Sequence, residues 1–75
     1  MLELRPVAYM DGGEVAFVEE DDADAFGLFL VEDDQLGWIA DFADYGWALK
    51  FSEQYAEEID VVFVDRVRSL TSKIP

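Results

Sequence analysis

The chain contains no cysteine and no histidine among its 75 residues. Without cysteine it has no disulfide, no thiolate nucleophile and no cysteine-ligated metal site. Without histidine it lacks the commonest general base and the commonest zinc ligand. No apolar run approaches the ~20 residues that a membrane-spanning helix needs. These absences exclude most nucleophilic and zinc-dependent enzymes, so we expect a cytoplasmic protein that is not an enzyme and uses no cofactor.

Basic residues are also scarce, and this leaves the chain with an unusual charge. Five bases stand against 18 acids, a formal net charge of −13, whereas a small domain usually carries a net charge of magnitude roughly 2–8. Residues 1–65 hold every acid and two bases, for a net charge of −16, while Arg66, Arg68 and Lys73 make residues 66–75 basic. We therefore predict one acidic domain over residues 1–65, followed by a basic C-terminal tail over 66–75. Repulsion between the negative charges destabilises such a domain, and a binding function is the natural reason to keep so high a charge.

The apolar pattern predicts a domain that mixes strands with one helix. Near-alternation of apolar residues, with turn residues between the runs, predicts five strands. Their predicted bounds are 2–10, 14–19, 26–32, 36–42 and 61–65. Asp11-Gly12-Gly13 predicts a hairpin turn, and Pro6 predicts an edge position or a bulge in the first strand. In the fourth strand, alternation places Trp38, Ala40 and Phe42 on one side.

The helix is predicted between residues 44 and 59, where the apolar period changes. Ala48, Phe51, Tyr55 and Ile59 fall at spacings of three and four, which is one face of a helix. Asp44 is the expected N-cap. The order β-β-β-β-α-β with short connections favours a two-layer α+β sandwich, in which one helix packs on a mainly antiparallel sheet of four to five strands. The aromatic residues expected in the core are Phe17, Phe26, Phe42, Phe51, Tyr55 and Phe63.

The acids gather in three groups along the chain. The groups are Glu19, Glu20, Asp21, Asp22 and Asp24; Glu32, Asp33 and Asp34; and Glu53, Glu57, Glu58 and Asp60. Each group alone is typical of a solvated turn or helix face. Together, with almost no bases between them, they indicate a surface that presents carboxylates to a Lys/Arg-rich partner, because residues i and i+2 of a strand lie about 6.5–7 Å apart, close to the phosphate spacing along a nucleic-acid strand. We predict that these acids contact a basic protein surface, with no direct contact to nucleic acid or membrane.

Two other functions fit the same sequence. In the first, the protein is a non-inhibitory interaction module, antitoxin-like or adaptor-like, which binds through exposed Trp38, Trp47 and Phe29. Trp47 itself can be a half-buried packing residue or an exposed anchor for a basic partner. In the second, an acidic loop such as 19–24 holds a divalent cation. That loop does not match the EF-hand pattern, and we predict no metal ligands.

Small size, the lack of Cys and His, strong acidity and the α+β layout together resemble phage-encoded inhibitors of host defence, notably anti-CRISPR proteins and other DNA mimics. The segment WIADFADYGWALKFSEQYAEE, residues 38–58, looks like the strand–Asp-Phe–helix junction of several small phage and mobile-element proteins. The resemblance implies a stoichiometric inhibitor that occupies the nucleic-acid groove of a host nuclease or CRISPR-Cas complex, in the cytoplasm of the host cell.

Overall fold

The computed structural model describes residues 1–68 and confirms the α+β architecture and the order of its elements. The strands are β1 (Leu2–Tyr9), β2 (Val15–Phe17), β3 (Ala25–Glu32), β4 (Gln35–Phe42) and β5 (Phe63–Asp65), and the helix is α1 (Tyr45–Ile59). Two 3₁₀ turns, Asp11–Gly13 and Glu20–Asp22, connect β1 to β2 and β2 to β3. None of the described helices is long and apolar enough to cross a membrane.

The five strands form one sheet in the order β2-β1-β3-β4, with antiparallel pairing, and β5 adds to β1 in parallel. β1 changes partner along its length, because residues 2–4 pair with β5 and residues 7–9 pair with β2. Pro6 lies between these two pairings. Its carbonyl accepts the N–H of Val18 at 3.1 Å, and its ring nitrogen has no hydrogen to donate in return. The predicted edge position or bulge at Pro6 is therefore wrong. Pro6 lies where the partner of β1 changes from β5 to β2.

α1 packs on one face of the sheet, and the core lies between the two layers. The fully buried leucines Leu2, Leu4 and Leu28 come from β1 and β3. Fully burying a leucine side chain contributes about 1.5–3 kcal/mol.

The helix buries a narrower face than its sequence predicts. The buried residues of α1 are Ala48, Ser52 and Ala56, at spacings of four, and their small side chains let the helix approach the sheet closely. Phe51 and Ile59, both predicted on the buried face, are 40% and 38% exposed. The predicted face was defined by the large apolar residues of the helix, whereas the residues that are fully buried against the sheet are small. The Ser52 Oγ is buried and has no hydrogen-bond partner among residues 1–68.

A β-bulge in β4 overturns the predicted arrangement of that strand. Leu28 lies opposite Ala40, but the next residue, Phe29, lies opposite Trp38, so Ile39 is the extra residue. Since one inserted residue reverses the alternation, Trp38 faces away from the side that Ala40 shares with the helix. The face of the sheet opposite α1, here called the open face, is not covered by any helix or strand of residues 1–68. Phe17 lies on it, 47% exposed rather than in the core.

The beginning of the predicted basic tail contacts the acidic domain. Arg66 lies 3.7 Å from a carboxylate oxygen of Glu3, and Arg68 forms an ion pair with Glu20 at 2.6 Å. Residues 69–75, which include Lys73, lie outside the described part of the chain.

Candidate protein-binding surfaces

The β3–β4 turn consists of two acidic residues in an unfavourable backbone conformation. Glu32 pairs with Gln35, so Asp33 and Asp34 alone form a two-residue hairpin loop. Their φ angles are 46° and 66°, which are the left-handed values that a type I′ turn requires at both positions. Asn-Gly is the preferred sequence there, because glycine adopts positive φ without steric strain. Asp-Gly is also common in such turns, so Asp33 suits the first position, whereas Asp34 carries a carboxylate at the position where glycine is usual.

The C-terminus of α1 also has an acidic residue in a left-handed backbone conformation. Asp60 has a φ of 57°, and its N–H donates to the carbonyls of Ala56 and Glu57. Helices usually place glycine at such a left-handed position. The last turn contains no base but does contain Glu57 and Glu58, whose charges oppose the negative end of the helix macrodipole.

The fold brings these two features to the same end of the molecule. The amide of Val31, near the end of β3, donates to the carbonyl of Met1, and the amide of Leu2 donates to the carbonyl of Val62, both at 2.8 Å. Val62 follows the end of α1 by three residues. The β3–β4 turn, the start of β1 and the end of α1 are therefore neighbours. We call this region the acidic end, and it comprises Glu32, Asp33, Asp34, Glu57, Glu58 and Asp60.

The carboxylates of the acidic end have no partners within the described part of the protein. In residues 1–68, the ion pairs involve only two acids, Glu3 and Glu20. None of the side-chain hydrogen bonds of that part of the chain reaches an acidic-end carboxylate. All six residues are exposed. Their carboxylates therefore point charge into solvent and make no hydrogen bond or ion pair within residues 1–68.

The acids of the opposite end differ, because several of them hold the fold together. Glu20 binds the Arg68 guanidinium through both oxygens. Asp24 accepts the N–H of Tyr9 at 2.8 Å, and Asp44 accepts the N–H of Trp47 at 2.9 Å as the N-cap of α1, as predicted. We call this the partnered end, and it comprises Glu20, Asp24, Asp44 and Asp65.

The Asp65 carboxylate accepts hydrogen bonds from both a side chain and the backbone. It accepts hydrogen bonds from the Tyr45 hydroxyl and, at 2.8 Å, from the amide of Val67. Burial, together with the hydrogen bond and the nearby charge of Asp65, raises the pKa of Tyr45 to about 12. The pair ties β5 to the start of α1.

The three predicted acid groups occupy different places in the fold. The group at 19–24 lies at the start of β3, and the group at 32–34 lies at its end, eight residues away. Within the first group, Glu19, Asp21 and Asp22 are exposed and have no side-chain partner among the described residues, whereas Glu20 and Asp24 are structural. Glu53 is exposed on α1, more than a turn before the acidic end.

Of the aromatic residues predicted to bind a partner, two are exposed. Trp47 is 67% exposed at the start of α1, where the Lys50 ammonium lies 5.6 Å from its ring centre. Trp38 is 50% exposed on the open face. Phe29, predicted to be exposed in the interaction-module alternative, is only 4% exposed, because it packs between Phe17 and Trp38.

The open face also holds a polar cluster that the sequence did not predict. Asp41 accepts hydrogen bonds from the Trp38 indole N–H at 2.6 Å and from the Tyr9 hydroxyl at 2.8 Å. Gly27 makes room for it, since a Cβ there would lie 2.8 Å from the Phe29 ring and 3.2 Å from the Asp41 carboxylate. The hydrogen bond to Asp41 raises the pKa of Tyr9. The sequence spacing of Trp38 and Asp41 conceals this contact, because only the bulge puts both on the same face.

The described residues offer little for metal or small-molecule chemistry. Among residues 1–68, no three carboxylates converge in a way that could hold a metal ion. Two open depressions lie on α1, one lined by Asp44, Gly46, Trp47 and Lys50 and the other by Gln54, Glu57 and Glu58. Both are shallow and open to solvent, so they suit contact with a protein surface better than enclosure of a substrate.

Comparison with known proteins identifies no family for this chain. No protein-family model, no curated protein and no solved structure matches the chain. No relative therefore assigns a role to any residue of the acidic end or the open face.

Proposed function

We propose that the protein is an acidic inhibitor that binds a Lys/Arg-rich, nucleic-acid-binding surface of a host defence complex or nuclease and blocks its access to DNA or RNA. The acidic end carries the proposal. Asp34 and Asp60 occupy left-handed positions where glycine is usual, and neither they nor Asp33 have an ion-pair partner within residues 1–68. Residues kept at a cost to stability are often kept for function.

Electrostatics supports a basic partner over a neutral one. The acidic end holds six of the 18 carboxylates that give the chain its net charge of −13. Such a surface attracts Lys and Arg, accelerates association with a basic groove and repels nucleic acid and anionic lipid. The resemblance to phage-encoded DNA mimics belongs to this proposal, as does action in the host cytoplasm with no enzymatic activity of its own.

The test uses the immobilised protein and a lysate of a candidate bacterial host. We expect it to capture nucleic-acid-binding proteins at ~0.1 M salt and to release them at ~1 M, where the Debye length falls from about 10 Å to about 3 Å. The free protein should then abolish the nucleic-acid binding of the captured protein in a gel-shift assay. The proposal is wrong if the captured proteins still bind DNA and RNA when saturated with the inhibitor.

A matched pair of variants locates the contact. Asp33→Asn with Asp34→Gly removes two charges from the acidic end, and Asp11→Asn with Glu14→Gln removes two exposed charges from the β1–β2 turn. We expect the first variant to bind the captured protein at least about tenfold more weakly, and the second to bind within about threefold of the parent. Equal losses would indicate that only total charge matters and not the acidic end.

One observation favours a second function, that of a non-inhibitory interaction module. Trp47 is 67% exposed, and exposed tryptophans are frequent hot spots of protein interfaces. Binding of this kind would survive high salt and the loss of Asp33 and Asp34, but not Trp47→Ala. The salt dependence measured above separates the two functions.

A further inference from the structure

An aromatic ring next to a carboxylate occurs three times in residues 1–68, and in two of these places the pair binds an arginine of the chain itself. On the open face, the Arg5 guanidinium lies 4.6 Å from the centre of the Phe17 ring and 2.7 Å from a carboxylate oxygen of Glu3. The ring face attracts the cation while the carboxylate accepts its hydrogen bonds. Glu3 itself is buried, at 5% exposure.

Arg68 is held in the same way beside the start of α1. Its guanidinium lies 4.1 Å from the centre of the Tyr45 ring and forms a two-oxygen ion pair with Glu20. Two of the chain's arginines therefore sit on an aromatic ring beside a carboxylate.

Trp38 and Asp41 form a third set of this type, and no base of residues 1–68 is paired with it. One side of the Trp38 ring stacks on Phe29, with ring centres 6.2 Å apart, and the residue remains 50% exposed. Asp41 is fixed by the indole N–H and by the Tyr9 hydroxyl, and it has no ion pair with any described base. Each of its oxygens keeps a lone pair for another donor. The ring and the charge are thus oriented in advance to receive a cation.

We propose that Trp38, Asp41 and Tyr9 form a binding site for an arginine side chain of the basic partner, an inference that rests on the proposed function and names an anchor for it. A guanidinium fits better than an ammonium, because it is planar, stacks on an indole and donates two parallel hydrogen bonds to a carboxylate. A second copy of this chain is a poor occupant, since each copy carries a net charge of −13. Charge complementarity therefore selects a basic protein.

The experiment is a ¹⁵N NMR titration of the full chain, read at the indole N–H of Trp38 and the backbone amides of Tyr9 and Asp41. The probes are an oligoarginine peptide, the same peptide with neutral citrulline in place of arginine, and an oligolysine peptide. We expect a saturable shift of the Trp38 indole with oligoarginine, a severalfold weaker response to oligolysine, and none with citrulline. Asp41→Asn, which keeps the acceptor for the indole, should weaken oligoarginine binding at Trp38 by about tenfold.

Two variants guard against misfolding and against general charge effects. Trp38→Leu keeps an apolar residue over Phe29 but removes the ring, and it should weaken the titration seen at Tyr9 and Asp41 about fivefold. Asp33→Asn with Asp34→Gly removes two charges at a distance and should change the Trp38 titration by less than about threefold. An Asp41→Asn variant with wild-type spectra but unchanged affinity would overturn the site.

The outcomes separate this proposal from the proposed function. If oligoarginine shifts only resonances of the acidic end, the arginine site is wrong and the acidic inhibitor stands. If citrulline shifts Trp38 as strongly as arginine, or if Trp38 shifts with protein concentration alone, the occupant is not a cation and the arginine site is wrong. If no resonance moves with either cationic peptide, both proposals are wrong.

Discussion

The two ends of the sheet use carboxylates in opposite ways. At the partnered end, Asp44 caps a helix, Glu20 holds Arg68 and Asp65 anchors Tyr45. At the acidic end, Asp34 and Asp60 occupy left-handed backbone positions where glycine is usual, and their side chains have no ion pair within residues 1–68. The four carboxylates of the partnered end make contacts that support the fold, whereas the carboxylates of the acidic end make none within residues 1–68. Composition alone cannot separate these roles, and the comparison shows which acids are available for a partner.

The largest effect on stability should come from removing the Asp65 carboxylate at the partnered end. Asp65→Ala leaves the Tyr45 hydroxyl and the amide of Val67 without their acceptor, so we expect a loss of about 2 kcal/mol in the free energy of unfolding, measured by urea denaturation. Glu58→Ala is the control at the acidic end and should leave the stability unchanged or slightly higher. Equal losses for the two variants would remove the distinction between the ends.

The N-cap of α1 should give the next largest effect. Asp44→Ala removes the hydrogen bond to the amide of Trp47 and should destabilise the protein by about 1 kcal/mol. Asp44→Ser retains a capping oxygen without the charge and should recover most of the loss. If Asp44→Ser were as unstable as Asp44→Ala, the charge and not the cap would be responsible.

Changes at the acidic end should have the opposite sign. In the Asp33→Asn, Asp34→Gly variant, Asp34→Gly relieves the left-handed strain of the second turn position, and the loss of two charges lowers the local repulsion. The free energy of unfolding, measured by urea denaturation, should therefore rise by about 0.5–1 kcal/mol. Asp11→Asn with Glu14→Gln removes the same charge from a turn without strained acids and should give a smaller gain. A destabilised Asp33/Asp34 variant would mean that these acids have a structural role.

The sequence predicts the elements and the N-cap well because these depend on local chemistry. Alternation, the change of period after Phe42 and the position of Asp44 are all visible in the chain itself. The bulge at Ile39 is a property of strand pairing, so alternation alone places Trp38 on the wrong face and gives no sign of its contact with Asp41.

The predicted acid groups are a different case, because neighbours in one group can have different roles in the structure. Glu20 and Asp24 look the same in the sequence as Asp33 and Asp34, yet of these four only the first two have partners among the described residues. The backbone angle of each acid and the identity of its donor follow from tertiary structure. The helix face is shifted for the same reason, since packing against the sheet selects Ser52 over Phe51.

The smallest effect should appear at high pH. The pKa of Tyr45 is raised from 10.0 to about 12, so the folded state favours the neutral phenol. This contribution is fully present below pH about 10 and is lost as the pH rises towards 12. The unfolding free energy should therefore fall over this range, and Tyr45→Phe should show a shallower fall. An equal slope for the two proteins would contradict the assigned contact with Asp65.

The most direct test of the central claim is to measure stability and partner binding together in the Asp33→Asn, Asp34→Gly variant. If the acidic end is kept for binding at the expense of stability, this variant should be more stable than the parent and should bind the captured nucleic-acid-binding protein at least about tenfold more weakly. A variant that is more stable and binds as tightly as the parent would contradict the claim.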